Sequence, residues 1–271
     1  MRTFLLFFAL PMMVAAQPAD PPPGQRLKLT DGQLFIPAGY KPAADGIELI
    51  LHLHGGTAAE QSLVRSGRSA VIVCVAIPGL SKVYADRFQS PATFARILDE
   101  AKAKLKESGV SSDPKFRRVI VSSFSAGFGG VREMLKDPAT YDLIDALMMA
   151  DSIYAGYAGD PAKRQVDAKL MEGFVTFAKD AAAGKKWFVL SHGDLQPEGY
   201  ASTAETADFL ITALGGSRET ANDSWPAEGL TMKSRFRKGQ FVVFGFAGDK
   251  GPDHMRHLHG LWALLKLLSP E

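Results

Sequence analysis

The apolar residues of this chain fall into short, dense runs separated by amphipathic stretches. Ile47–Leu53, 70–77 and 119–122 are rich in β-branched residues and lack polar alternation, the pattern of strands covered on both faces in a parallel sheet. Ala146–Ala150, 187–190 and Phe241–Phe246 repeat it. Between these runs, residues 93–108, 162–183 and 202–214 carry apolar positions at helical spacing. They stop at Gly109, Gly184 and Gly215-Gly216, where glycine ends a helix at low steric cost. Strand and helix therefore alternate, which predicts an α/β fold with helices on both faces of a mostly parallel sheet. Residues 29–36, with the turn pair Asp31-Gly32, predict an antiparallel edge before the parallel strands. Residues 231–237 predict a hairpin partner that reaches the last strand through Lys238-Gly239. No internal repeat and no second linker interrupts the pattern.

The amino terminus departs from it. Arg2 precedes an almost wholly apolar stretch, 4–14, and Val14-Ala15-Ala16 supplies the small residues of a cleavage site, so residues 1–16 are expected to be a signal peptide. The stretch is too short to cross a hydrocarbon core of about 30 Å and Pro11 interrupts it, which argues against an anchor. Residues 17–26 then read as a proline-rich linker, and 27–271 as one domain, secreted or periplasmic. Composition agrees with a folded enzyme-sized domain: 271 residues, 46% hydrophobic, 22% charged. A formal charge of +2 without a long basic block argues against nucleic acid as a partner. The single cysteine, Cys74, lies inside an apolar run and reads as a small buried hydrophobe rather than a nucleophile.

Three segments carry candidate chemistry. Ser123-Phe124-Ser125-Ala126-Gly127 joins a strand to a helix and approximates the elbow G-x-S-x-G, in which small residues flank a serine thrust outward by a sharp turn. The first glycine is replaced by Ser123. A serine- and glycine-rich helix cap is the competing reading. His54-Gly55-Gly56 follows the strand two before Ser125, so the amides of Gly55, Gly56 and Ala126 are candidates for an oxyanion hole. Behind the last strand, Pro252-Asp253-His254 places an imidazole where a general base belongs in the chain order Ser, Asp/Glu, His. His254 is expected in the loop mouth, with His257 as the alternative base; His257 and His259 are expected on the following helix. A metal cluster of these histidines with His52 and His54 is disfavoured, because H-x-x-H-x-H spreads its members over diverging helix faces. For the acid, Asp194 after the 187–190 run is the first candidate and Asp151 after the preceding strand the alternative. Either aspartate is equally a turn former.

Together His54-Gly55-Gly56, Ser123 to Gly127, Asp194 and His254 resemble the α/β-hydrolase superfamily over residues 27–268. The resemblance implies a Ser-His-acid site acting through an acyl-enzyme, with no required cofactor and no metal. Carboxylic esters, small or polymer-borne, are the expected substrates. A peptidase or amidase with the same residues, or a catalytically silent binding domain, are the alternatives. The segment from Asp151 to Lys186 has room for a one-helix crossover, so no large lid is expected. Tyr154, Tyr157 and Trp225 are candidate aromatic walls, and no stable membrane insertion is expected after cleavage.

Overall fold

The computed structural model describes residues 20–227 and 229–268. The expected signal peptide lies outside the described residues. Among the described residues, ten strands form one sheet: β1 (Gly24–Leu29), β2 (Gly32–Pro37), β3 (Ile47–Leu53), β4 (Val71–Val75), β5 (Phe116–Phe124), β6 (Ala146–Ala150), β7 (Trp187–His192), β8 (Glu219–Thr220), β9 (Met232–Lys238) and β10 (Phe241–Phe246). Their order is β1-β2-β4-β3-β5-β6-β7-β10-β9-β8. The six central strands, β4 to β10 in that order, run parallel, and antiparallel hairpins close both flanks.

Nine helices accompany them among the described residues: α1 (Gly56–Arg65), α2 (Ser81–Phe88), α3 (Pro91–Glu107), α4 (Phe128–Met134), α5 (Pro138–Leu143), α6 (Glu172–Ala182), α7 (Thr203–Ala213), α8 (Gly251–His259) and α9 (Leu261–Lys266). Every residue of β3, β6 and β10 is buried, because helices cover both sides of the sheet. On one face, Leu49, Leu51, Val73 and Val121 pack with Phe94 and Ile97 of α3 and Phe174 and Phe177 of α6. On the other, Ile50, Ile72, Ile120 and Met148 pack with Leu63 of α1 and Leu258, Leu261 and Leu264 of α8 and α9. Two apolar layers thus sandwich the sheet, and each strand side chain faces one or the other.

Three expectations shift. β1 opens at Gly24, inside the stretch expected to be linker. Its hairpin is bolted to the helices by Asp31, whose buried carboxylate pairs with Arg87 of α2 and Arg96 of α3. The helix expected over 162–183 is confined to α6. Upstream, Asp160 and Asp167 each cap a single turn by accepting from Ala162 N and Lys169 N, both at 3.0 Å, and Arg164 takes a left-handed φ of 48° that no helix continues through. Lastly, His254 lies within α8, not in the loop before it.

Strand order reverses between β3 and β5, since the chain leaves β3 for β4 and returns to β5 on the opposite side. A crevice opens at the carboxyl ends of strands around such a point. Among the described residues, no helix is long and apolar enough to cross a membrane.

Candidate active site

Four non-glycine residues among those described have positive φ, and three of them end β3, β5 and β6: His54 (72°), Ser125 (47°) and Asp151 (43°). Left-handed backbone disfavours L-residues and persists where surrounding packing enforces it. At Ser125 the enforcement is visible. A Cβ on Gly127 would meet the Leu53 carbonyl oxygen at 2.4 Å, so only glycine lets the turn seat against β3. The Ser152 hydroxyl donates to the Ser125 carbonyl at 2.9 Å and receives the Ser123 hydroxyl at 2.7 Å. Ser123, where the elbow pattern has glycine, is thus fully buried and satisfied, with the Met149 Sδ also 3.3 Å away.

Ser125 and His254 line one cavity of about 440 Å³ together with Ala126, Leu80, Phe128, Arg132, Tyr154, Leu195 and Tyr200. The His254 ring stacks on Phe124, with centroids 4.5 Å apart, and its Nδ1 lies 2.6 Å from Asp151 Oδ2. Asp151 is 1% exposed and fully engaged: Gly193 N donates to Oδ1 at 3.1 Å, and the Thr203 hydroxyl, at the start of α7, donates to the same oxygen. Burial would raise its pKa. The hydrogen bond to His254, the charges of His257 and His254, and the Thr203 hydroxyl outweigh burial and hold the carboxyl below its ordinary range. An ionised Asp151 accepts from His254 Nδ1–H, which leaves Nε2 with a free lone pair.

Of the two candidate acids, it is Asp151, the alternative, that meets His254. Asp194, the first candidate, turns outward, where Lys233 of β9 donates to it at 2.6 Å, and it does not meet His254. His257, the alternative base, is 2% exposed and its Nδ1 meets the Ser191 hydroxyl at 2.9 Å. Burial lowers its pKa, opposed by the charge of Asp151. Of the oxyanion candidates, Ala126 lines the cavity, whereas Gly55 and Gly56 lie at the start of α1 outside its lining, with φ of 105° and 52°. A Cβ on Gly55 would strike Leu258 of α8 at 2.6 Å.

The remaining histidines have separate partners. His52 bridges Ser122 Oγ (2.8 Å) and the His54 carbonyl (2.6 Å), and burial lowers its pKa to about 3. His54 meets the Tyr84 hydroxyl at 3.0 Å and stacks on Phe124, with centroids 6.0 Å apart. No group of three or more His, Cys, Asp or Glu residues is arranged to hold a metal ion among the described residues. Burial pushes the Cys74 thiol up to about 12, which removes thiolate chemistry at neutral pH. Of the expected aromatic walls, Tyr154 lines the cavity. Tyr157 instead meets Glu205, and Trp225 packs on Phe244 and Phe246. Sequence reasoning missed Phe124, Ser152, Thr203 and Arg132, each of which acts through contacts between elements.

The sheet order, the helices on both faces and the turn at Ser125 define the α/β-hydrolase fold. Two solved structures share it: enterobactin esterase from Shigella flexneri, at 17% identity and a TM-score of 0.50, and ferric enterobactin esterase from Salmonella typhimurium, at 13% and 0.53. The matches cover 92% and 93% of this chain but 61% and 58% of theirs, so the chain spans about three fifths of their length. No family model and no curated protein matches the sequence.

Proposed function

We propose that the protein is a serine hydrolase that cleaves carboxylic esters, with Ser125 as nucleophile, His254 as general base and Asp151 as the acid that orients it. The carrying observation is the 2.6 Å contact between the buried Asp151 carboxylate and His254 Nδ1, on a ring that shares its cavity with a serine held in left-handed backbone. The enterobactin esterases lend the fold, and ester cleavage is the reaction it is proposed to support here.

In the proposed reaction the Ser125 hydroxyl proton passes to His254 Nε2 as its oxygen bonds the ester carbonyl carbon. The carbonyl π electrons move to oxygen, where the amide of Ala126, the oxyanion candidate that lines the cavity, offers a hydrogen bond. Collapse re-forms the carbonyl and breaks the bond to the alkoxy oxygen, which leaves with the proton from His254. Water, deprotonated by the same nitrogen, then releases the acid and returns the proton to Ser125. Asp151 stays ionised throughout and stabilises the imidazolium.

Labelling with a fluorophosphonate followed by peptide mapping tests this reading. Expected is one adduct on Ser125, lost in Ser125→Ala together with nitrophenyl ester turnover, while the thermal melt is retained. Ser125→Ala with near wild-type turnover would refute the assignment. Faster cleavage of peptide anilides than of nitrophenyl esters would move the substrate to amides. Export to the periplasm or medium, after removal of residues 1–16, is part of the same proposal.

A further inference from the structure

The cavity that Ser125 lines also holds a cation that forms no ion pair among the described residues. Arg132 lies on α4, one segment past Ser125, and lines the cavity beside Phe128, its guanidinium carbon 4.9 Å from that ring's centroid. Its Nη2 donates to the Tyr154 carbonyl, while its Nε is buried with no hydrogen-bond partner. The nearby carboxylates are engaged elsewhere: Glu133 holds Lys136 at 2.6 Å and Asp167 caps Lys169 N at 3.0 Å. Among the described residues no acidic side chain lines the cavity, whose walls include Leu80, Phe128, Tyr154, Leu195 and Tyr200. Arg132 also borders a second cavity between α4 and α6. There Lys136 and Lys169 stand with the carboxylates of Asp142 and Glu172, so an anion would meet mixed charge, whereas on the serine side Arg132 has no acidic neighbour in the lining.

A guanidinium has five donors in a planar fork that matches a carboxylate, and leaving such a donor buried and unpaired is costly. Burial lowers the pKa of Arg132, and the charges of Glu133 and Asp167 only partly oppose it. We propose that Arg132 sets specificity, receiving a carboxylate carried by the ester substrate in the cavity beside Ser125. The proposal rests on Ser125 being the nucleophile. The apolar and aromatic walls hold the chain or ring between the scissile carbonyl and that carboxylate.

Matched ester pairs test it, corrected for spontaneous hydrolysis. One pair places the charge in the acyl part (4-nitrophenyl hemiadipate against 4-nitrophenyl hexanoate), the other in the alcohol part (4-acetoxybenzoate against its neutral N-methylamide). Wild type should prefer at least one anionic member by about tenfold or more in kcat/KM, the scale of a charge-assisted hydrogen bond. Arg132→Gln should bring that ratio close to one through KM, and Arg132→Lys should restore part of it. The ratio, rather than either rate, is the readout, because Arg132 also holds the Tyr154 carbonyl. A wild type that prefers neither anionic ester, or an Arg132→Gln variant that keeps the preference, overturns the proposal. If Arg132→Gln does not fold, wild type alone decides: 4-nitrophenyl 6-aminohexanoate should then be the poorest of the acyl series, and a cationic ester cleaved as well as the hemiadipate overturns the proposal. Failure of the hydrolase reading is separate and shows as no fluorophosphonate adduct at Ser125. Calorimetric titration with adipate and with benzoate then decides, since Arg132-dependent binding supports the anion site and no binding overturns it.

Discussion

Asp151 and Asp194 follow adjacent strands, yet their surroundings differ in every respect that matters to a proton. Asp151 is enclosed, ionised and bonded to an imidazole, whereas Asp194 is a third exposed and paired with a lysine. Asp151→Asn should cut kcat by about three orders of magnitude or more, because the amide can present its NH2 to His254 and favour the wrong tautomer. Asp194→Asn removes only a partly exposed ion pair and should change turnover less than about twofold. Steady-state kinetics on both variants, with melting curves to check folding, decides the ranking; a larger loss in Asp194→Asn would return the acid to that residue. His257→Gln should cost stability through the lost contact to Ser191 while kcat stays within about tenfold. Local sequence placed both aspartates at strand ends correctly. It carried no information on Lys233, 39 positions downstream, or on His254, 103 positions from Asp151, which are what separate them.

Among elements, the strand-turn-helix at β5 and α4 was legible because its requirements are local: a buried apolar strand, small residues, then a helix. What was not legible is how far the turn depends on β3. Gly127 abuts the Leu53 carbonyl, and Ser152, at the end of β6, ties Ser125 from the other side. Gly127→Ala should therefore lift the turn off β3, lowering stability by roughly 1–3 kcal/mol and abolishing labelling of Ser125. A variant with wild-type denaturation midpoint and labelling rate would show that the contact gives way at no cost. Ser152→Ala should be milder in stability and still slow labelling, because the Ser125 carbonyl loses a donor. The helix expected over 162–183 failed for a related reason. Apolar spacing persists there, but side-chain oxygens of Asp160 and Asp167 capture backbone amides locally, and the chain pairs back on residues 156–158, with Asp167 N donating to the Gly156 carbonyl and Val166 bridging Tyr157, instead of lengthening α6.

At the scale of the whole molecule, the sheet concentrates uncharged imidazoles in its interior, and this couples folding to acid. Burial, foremost, lowers His52 and His192 from the ordinary value of 6.5 to about 3, with the Arg218 guanidinium adding to the effect at His192. His54 and His257 shift in the same direction. Between pH 6.5 and about 3 the unfolded chain binds protons at His52 and His192 that the folded chain does not, so stability falls as the medium is acidified. For His52 and His192 the slope is about 1.4 kcal/mol per pH unit each. Asp151 acts in the same sense but lower on the scale. Its folded pKa is depressed, so its stabilisation is full above the ordinary carboxylate value of 3.8 and is lost only as pH falls below that. Urea unfolding of the chain at pH 7, 6, 5 and 4 should give a steady loss that begins near pH 6.5, well above the carboxylate range. His52→Gln should flatten the slope by about one proton's worth, since a neutral amide has nothing to titrate. A stability flat from pH 7 to 4 would show that these imidazoles accept protons in the folded state, and with that the neutral state of the buried histidines would have to be abandoned.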